Sequence, residues 1–242
     1  MCLINHVKNK KMKHPTSKQS VSVIFMLFGI FFNVCLIASN LLETKVLSIC
    51  GITLTAGLLV FPISYIINDC LVEVWGFRKA RLVIWTGFAM NAFVALAGGL
   101  AVLLPGAPFW EGAEAFNFVF GLAPRIMVAS LTAFLVGSFL NAYVMSRMKL
   151  RDGSKHFSWR AIASTIVGET ADSLIFFPIA FGGLTPIDEL VQMMAVQIVL
   201  KTMYEVIALP LTNLVVRRIK RIEGSDVIDR DISYNPLKIR DL

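Results

Sequence analysis

Apolar residues gather in six runs, at about 20–42, 52–76, 82–104, 118–146, 159–183 and 190–216, separated by short polar stretches. Each run approaches or exceeds the roughly 20 residues that an α-helix needs to cross a bilayer. The pattern therefore predicts six membrane-spanning helices. The first run follows a Lys-rich start, but its apolar length exceeds the roughly 7 to 15 residues of a secretory signal core, so it reads as a span. Pro105 to Pro108, Arg151 to Ser154, and Gly182 and Gly183 with Pro186 mark turns between runs. The expected fold is all-α: a polytopic bundle of six transmembrane helices over 20–219. A basic segment, 1–19, precedes it, and a polar tail of mixed charge, 220–242, reads as solvated.

Composition narrows the function. Of 242 residues, 56% are hydrophobic and 16% charged, against about 25% charged in soluble domains. Six spans leave no room for a separate catalytic or nucleotide-binding domain, and no G-x-x-x-x-G-K-[ST] loop occurs. The four cysteines show no C-x-x-C spacing, and the three histidines fall outside the apolar runs. A disulfide framework and a metal site are both disfavoured, and no cofactor is expected.

Charge placement orients the spans. Twenty of the 23 Lys and Arg residues lie in the N-terminal segment, in the loops after the second and fourth runs, and in the tail. The alternate loops hold Lys45 and the acids Glu111, Glu114, Asp188 and Glu189. Cations in short loops stay cytoplasmic, so both termini are expected there. The net charge of +7 is thereby a matter of topology, and no nucleic-acid partner is implied.

Seven ionisable groups remain inside the apolar runs: Asp69, Glu73, Arg125, Glu169, Asp172, Lys201 and Glu205. At roughly 2.5 to 3.5 kcal/mol each near a helix centre, they would cost on the order of 20 kcal/mol facing lipid. They must face one another or a wet cavity. Such groups mark a substrate or ion path by default, the alternative being ion pairs that hold the bundle together.

Spacing places them on stripes: Tyr65, Asp69 and Glu73 in the second run, Thr165, Glu169, Asp172 and Phe176 in the fifth, Gln197, Lys201 and Glu205 in the sixth, with Asn33 and Asn40 in the first. A central cluster of Asp69, Glu169, Asp172 and Lys201, with Asn40 and Glu205, is the expected substrate site. Glu73 and Arg125 flank or gate it, or snorkel to the interface. Lys201 and Glu205, four residues apart, could instead neutralise each other. Either way acids exceed cations, which suits a transporter. The third run carries Asn91 and no charge, and reads as peripheral. Phe61-Pro62-Ile63 and Phe177-Pro178-Ile179 fall in the middle helices of two three-helix halves, as kinks of an inverted repeat or of ordinary packing helices.

From Asn40 to about Ile219 the sequence resembles the queuosine precursor transporter (VUT) family of six-span proteins. The resemblance rests on Asn40 with Lys45, on Phe61-Pro62 followed by Asp69, Glu73 and Trp75-Gly76, and on Arg125 with Ser130. It continues through Trp159-Arg160, Ser164-Thr165, Glu169, Asp172-Ser173 and Phe181-Gly182 to Lys201, Glu205 and Pro210. The family's aromatic-Gly, usually Tyr-Gly, is here Trp75-Gly76, and position 169, often an amide, is Glu169.

The resemblance implies import of a 7-deazaguanine base, such as 7-cyano-7-deazaguanine, 7-aminomethyl-7-deazaguanine or queuine, for tRNA modification in a bacterial cell membrane. Chemically, a carboxylate can accept both N1–H and the exocyclic amine of a guanine-like edge, and Asp172 is the expected acceptor. Lys201, Arg125 or an Asn such as Asn40 can donate to the carbonyl. Phe176, Phe177, Tyr65 or Tyr204 can stack on the ring. Glu169, one turn from Asp172, is expected to meet a cationic substituent. The expected partners are thus a small molecule and the lipid bilayer, with homo-oligomerisation and the coupling ion left open. The competing reading is the substrate-binding subunit of an energy-coupling-factor vitamin importer. An intramembrane enzyme lacks a G-x-S-x-G elbow or metal motif to support it.

Overall fold

A computed structural model describes residues 21–49, 52–121, 124–183 and 186–238. The expected basic segment 1–19 and the side chain of Arg125 lie outside what is described. In order, the elements are α1 (Val23–Leu42), a two-stranded antiparallel hairpin of β1 (Val46–Ile49) and β2 (Ile52–Thr55), a 3-10 turn at Ala56–Leu59, α2 (Phe61–Val102), α3 (Ala113–Phe120), α4 (Pro124–Asp152), α5 (Phe157–Phe181) and α6 (Ile187–Glu223). The chain is an all-α polytopic membrane protein whose only sheet among the described residues is this hairpin.

Five helices are long and apolar enough to cross a membrane, yet the spans number six. At 1.5 Å per residue the 42 residues of α2 would extend about 63 Å, twice the roughly 30 Å hydrocarbon thickness. Gly76, at φ 82° and ψ 169°, breaks the helix, in a backbone region that only glycine enters cheaply. The neighbours of α1 show that the chain reverses there. Phe25 and Phe28 at the start of α1 pack on Trp75, whereas Ser39 and Glu43 at its end abut Gly57. The first arm of α2 thus runs antiparallel to α1. Beyond Gly76, Val83 meets Gly29, Gly87 meets Phe32 and Leu36, and Leu100 and Leu103 share a cavity with Leu41. The second arm runs parallel to α1.

Two expected boundaries are corrected. The second run, expected to be helical from 52, opens with β2 and the 3-10 turn, and its helix begins at Phe61. Pro62 consequently lies in the first turn of α2, where its missing N–H costs nothing, and does not kink the helix. Pro178 does sit inside α5, near its end. The residues expected to form the loop after the second run, including Arg78, Lys79 and Arg81, are helical and belong to the second arm of α2.

The expected solvated tail is also corrected, because it packs back on the bundle. Val227 N–H donates to Val74 O at 3.3 Å, and Asp229 Oδ2 accepts from Phe77 N–H at 2.8 Å and from Ser146 Oγ at 2.6 Å. Tyr234 stacks on Phe77 at 5.0 Å, and Arg81 donates to the carbonyls of Ser233 and Asn235. The reversal at Gly76 leaves a backbone donor, Phe77 N–H, and an acceptor, Val74 O, that a helix would satisfy internally, and the tail supplies Asp229 Oδ2 to the one and Val227 N–H to the other. Ser22 Oγ donates to Glu223 Oε1 at 2.5 Å, which puts the start of α1 and the end of α6 on the same face.

Candidate functional site

The polar stripes converge between the first arm of α2, α4, α5 and α6. Small residues permit this: Gly137 of α4 and Gly168 of α5 cross so closely that a Cβ on Gly168 would lie 3.0 Å from Gly137 O and 2.9 Å from Asn141 Cβ. Tyr65 wedges against both glycines. Asn68 Nδ2 donates to Asn141 Oδ1 at 2.8 Å, tying α2 to α4.

Lys201 is the centre of the cluster. Its Nζ lies 2.8 Å from Glu169 Oε2 and 3.7 Å from Asp172 Oδ2, and 3.9 Å from the centroid of the Phe61 ring. The Glu169 contact is an ion pair whose angles miss hydrogen-bond alignment. Lys201 thus turns to α5, and the alternative, a Lys201–Glu205 pair, gives way to a different arrangement. Glu205 lies against Asp69 and Thr165, and Ser164 Oγ donates to Asp69 at 3.3 Å. Asp69, Glu169, Asp172, Lys201 and Glu205 are all buried. The structure therefore brings Asp69, Glu169, Asp172, Lys201 and Glu205 of the expected site together. Tyr65 Oη, Thr165 Oγ1, Glu169 Oε1 and Glu205 Oε2 are buried without hydrogen-bond partners, each at a cost of about 1–3 kcal/mol if left so.

Above this cluster, away from the face that holds the start of α1 and the end of α6, is a cavity of about 280 Å³, near the lower end of small-molecule sites. Asn40, Glu43, Asn91, Ser130, Phe176, Phe177 and Gln197 are among its lining residues. A second space of about 20 Å³ continues toward Asp172, Lys201 and Phe61, again bordered by Glu43, Phe176, Phe177 and Gln197. Asn40 Oδ1 accepts from Ser130 Oγ at 3.2 Å, closing one wall. The two Phe-Pro-Ile segments thus meet, since Phe61 and Phe177 border the same space. The third span, expected to be peripheral, contributes Asn91 to the wall. Asn33, in contrast, donates to Gly29 O of its own helix and lines neither space. Tyr204, a candidate stacking residue, lines neither.

Glu43 was not singled out from the sequence. It lies just past the end of α1, where a loop was expected, and its only signal is a position three residues after Asn40, one helical turn along. Burial holds its carboxyl up at about 7, against the attraction of Lys201 and with the repulsion of Asp172.

Glu73 belongs to a different cluster, at the opposite end. Although fully buried, it does not snorkel: Arg160 Nη2 lies 2.7 Å away, Lys220 Nζ 2.5 Å and Lys149 Nζ 3.7 Å. Arg160, counted among loop cations in the sequence, is itself buried. Asp226 of the tail joins Lys149 at 2.6 Å and Lys220 at 2.8 Å. Partial burial opposes its charge, but hydrogen bonds from Lys149, Lys220 and Ser154 hold its carboxyl down at about 2. Polar groups thus open a cavity at one end, and an ion-paired network seals the other.

Residues 55–215 match the family described as "putative vitamin uptake transporter". The chain belongs to this family. It is 29% identical over 188 residues to a "probable queuosine precursor transporter" of Bacillus subtilis, covering 77% of this chain and 80% of the relative. Over 163 residues it is 29% identical to the "queuosine precursor transporter" of Escherichia coli, covering 67% and 71% respectively. A third relative, from Haemophilus influenzae, is 30% identical over 128 residues, 52% of each chain. No solved structure matches the chain. Its apolar helices and bacterial relatives make it a multi-pass bacterial membrane protein of a transporter family.

Proposed function

We propose that this protein imports queuosine precursors, 7-deazaguanine bases, across the bacterial cell membrane without chemically altering them. The observation that carries this reading is the buried Asp172 beside Lys201, bordering a small space that continues from an aromatic-walled cavity. A guanine-like edge offers two adjacent donors and a carbonyl, which a carboxylate next to an ammonium complements. Asp172 accepts from N1–H and the exocyclic amine, and Lys201 donates to the carbonyl. Phe176 and Phe177 offer faces on which the ring stacks. Asp69, Glu169 and Glu205 form the acidic cluster behind that space, and Asn40 positions the wall through Ser130. Glu73, with its cations, closes the path at the far end, and Arg125, at the start of α4 and so at the opposite end, is the second flanking residue of this reading.

The orientation belongs to the same reading. The face that carries the start of α1 and the end of α6 is cytoplasmic by the positive-inside rule, since the cation-rich segments adjoin it, with 1–19 and 220–242 as cytoplasmic flanks of the 20–219 bundle. The cavity then faces outward. The test is uptake in a strain that depends on salvage, read as queuosine content of its tRNA. Expression of the wild-type chain restores queuosine when a deazaguanine base is supplied, and Asp172→Asn does not, although it accumulates in the membrane. Failure of the wild type to restore queuosine from any such base overturns the reading.

A further inference from the structure

The floor of the cavity is occupied by ion-paired groups, but one carboxylate on its wall is not so committed. Glu169 gives its Oε2 to Lys201 and lines neither the larger nor the smaller space. Its expected role, meeting a substituent of the substrate, has no geometric support. Glu43 borders both spaces, the larger beside Asn40 and Gln197, the smaller beside Asp172 and Lys201. The fold makes a place for it. Gly57, in the 3-10 turn ahead of α2, leaves a notch in which Glu43 Cγ lies, and a Cβ at that position would collide with Cγ and stand 3.2 Å from Glu43 Oε1. The side chain is thus set against the cavity wall by the turn.

Charge balance tells what Glu43 would receive. The acids around the cavity are Glu43, Asp69, Glu169, Asp172 and Glu205, and Lys201 is the cation paired with them among the described residues. A low-dielectric site with that surplus favours a positively charged guest. Glu43 borders the larger cavity as well as the space beside Asp172, so a substituent of a base held at Asp172 that extends into the larger cavity passes Glu43. We infer that Glu43 is a specificity residue that receives a protonated amine on the substrate, so that the site prefers aminoalkyl-bearing deazaguanines to the neutral nitrile base. The inference rests on the transport reading above.

The experiment is competition for uptake by 7-aminomethyl-7-deazaguanine and by 7-cyano-7-deazaguanine, in wild type and in Glu43→Gln. The expected result is a loss of about tenfold in apparent affinity for the aminomethyl base, the scale of one charge-assisted hydrogen bond, with the nitrile base nearly unchanged. Gly57→Ala, which keeps the charge but evicts the side chain from its notch, shifts selectivity in the same direction. It serves if Glu43→Gln fails to accumulate. Equal losses for both bases overturn the inference, because Glu43 then serves the shared edge, a coupled cation or folding. No loss for either overturns it too. If wild type takes up neither base, the transport reading falls and this inference with it.

Discussion

At Lys201 the structure holds one ammonium between two buried carboxylates, and this decides what removal of the charge does. Lys201→Met leaves Glu169 and Asp172 unpaired in the bundle, and breaking a buried pair from one side costs about 3–5 kcal/mol. Glu169→Gln with Lys201→Met removes both charges of the shorter contact. The double variant should recover most of the lost stability in a thermal melt of detergent-solubilised protein, yet transport no better than the single variant. Recovery of uptake together with stability would make Lys201 a structural ion and not a substrate ligand. Glu43 supplies a second residue-scale prediction. Burial raises its carboxyl to about 7, with Lys201 of α6 and Asp172 of α5 acting on it. Below that value it is mostly neutral and above it mostly charged, whereas an alkylamine like that of lysine stays protonated to about 10. Preference for the aminomethyl over the nitrile base should therefore grow as pH rises through about 7 and flatten in Glu43→Gln. A preference that is constant with pH in wild type would detach it from Glu43.

Among the elements, Gly76 is where local chemistry and tertiary structure are most tightly joined. Its φ of 82° and ψ of 169° are open to glycine alone, and a Cβ would lie 2.6 Å from Asp229 Oδ1 and 2.8 Å from Val227 Cγ1. Gly76→Ala should cost at least the roughly 1–3 kcal/mol of such backbone strain and loosen the tail. Asp229→Ala removes the acceptor of Phe77 N–H and Ser146 Oγ without straining the turn. Both variants should make the 224–236 segment more sensitive to protease, with the Asp229 variant retaining the reversal. Unchanged protection of that segment in both would show that the tail is held by something other than the turn. The six apolar runs were legible because hydropathy reports burial in lipid directly. The Trp75-Gly76 pair was legible only as a family-like motif, since nothing in the order of residues says that a helix reverses at one glycine. The tail was misread for a related reason. Its polarity suggested water, but Asp229 and the Ser233 and Asn235 carbonyls are spent on backbone and Arg81 donors more than 150 positions away. Among site residues, Asp69, Glu169, Asp172, Lys201 and Glu205 stood out because charge in an apolar run is expensive. Glu43 did not, because past the end of α1 a carboxylate looks like ordinary loop.

The whole molecule turns on a parity that a labelling experiment can read. If α2 were one straight helix, the five long helices would place the chain's ends on opposite faces. With the reversal at Gly76 there are six crossings, and the ends share a face, as the Ser22–Glu223 contact requires. In the orientation proposed above from the cation distribution, that face is cytoplasmic. Single cysteines can be placed in a background lacking the four native ones. At position 108, before α3, or 187, at the start of α6, they should react with an impermeant thiol reagent added to intact cells. Cysteines at either terminus or at 153, between α4 and α5, should react only after the membrane is opened. The informative combination is 108 with the two termini. Position 108 follows the second arm of α2, so its exposure together with protection of both ends is compatible with six crossings and not with five. Labelling of 153 from outside, or of one terminus and not the other, would break the topology and remove the outward cavity on which substrate entry depends.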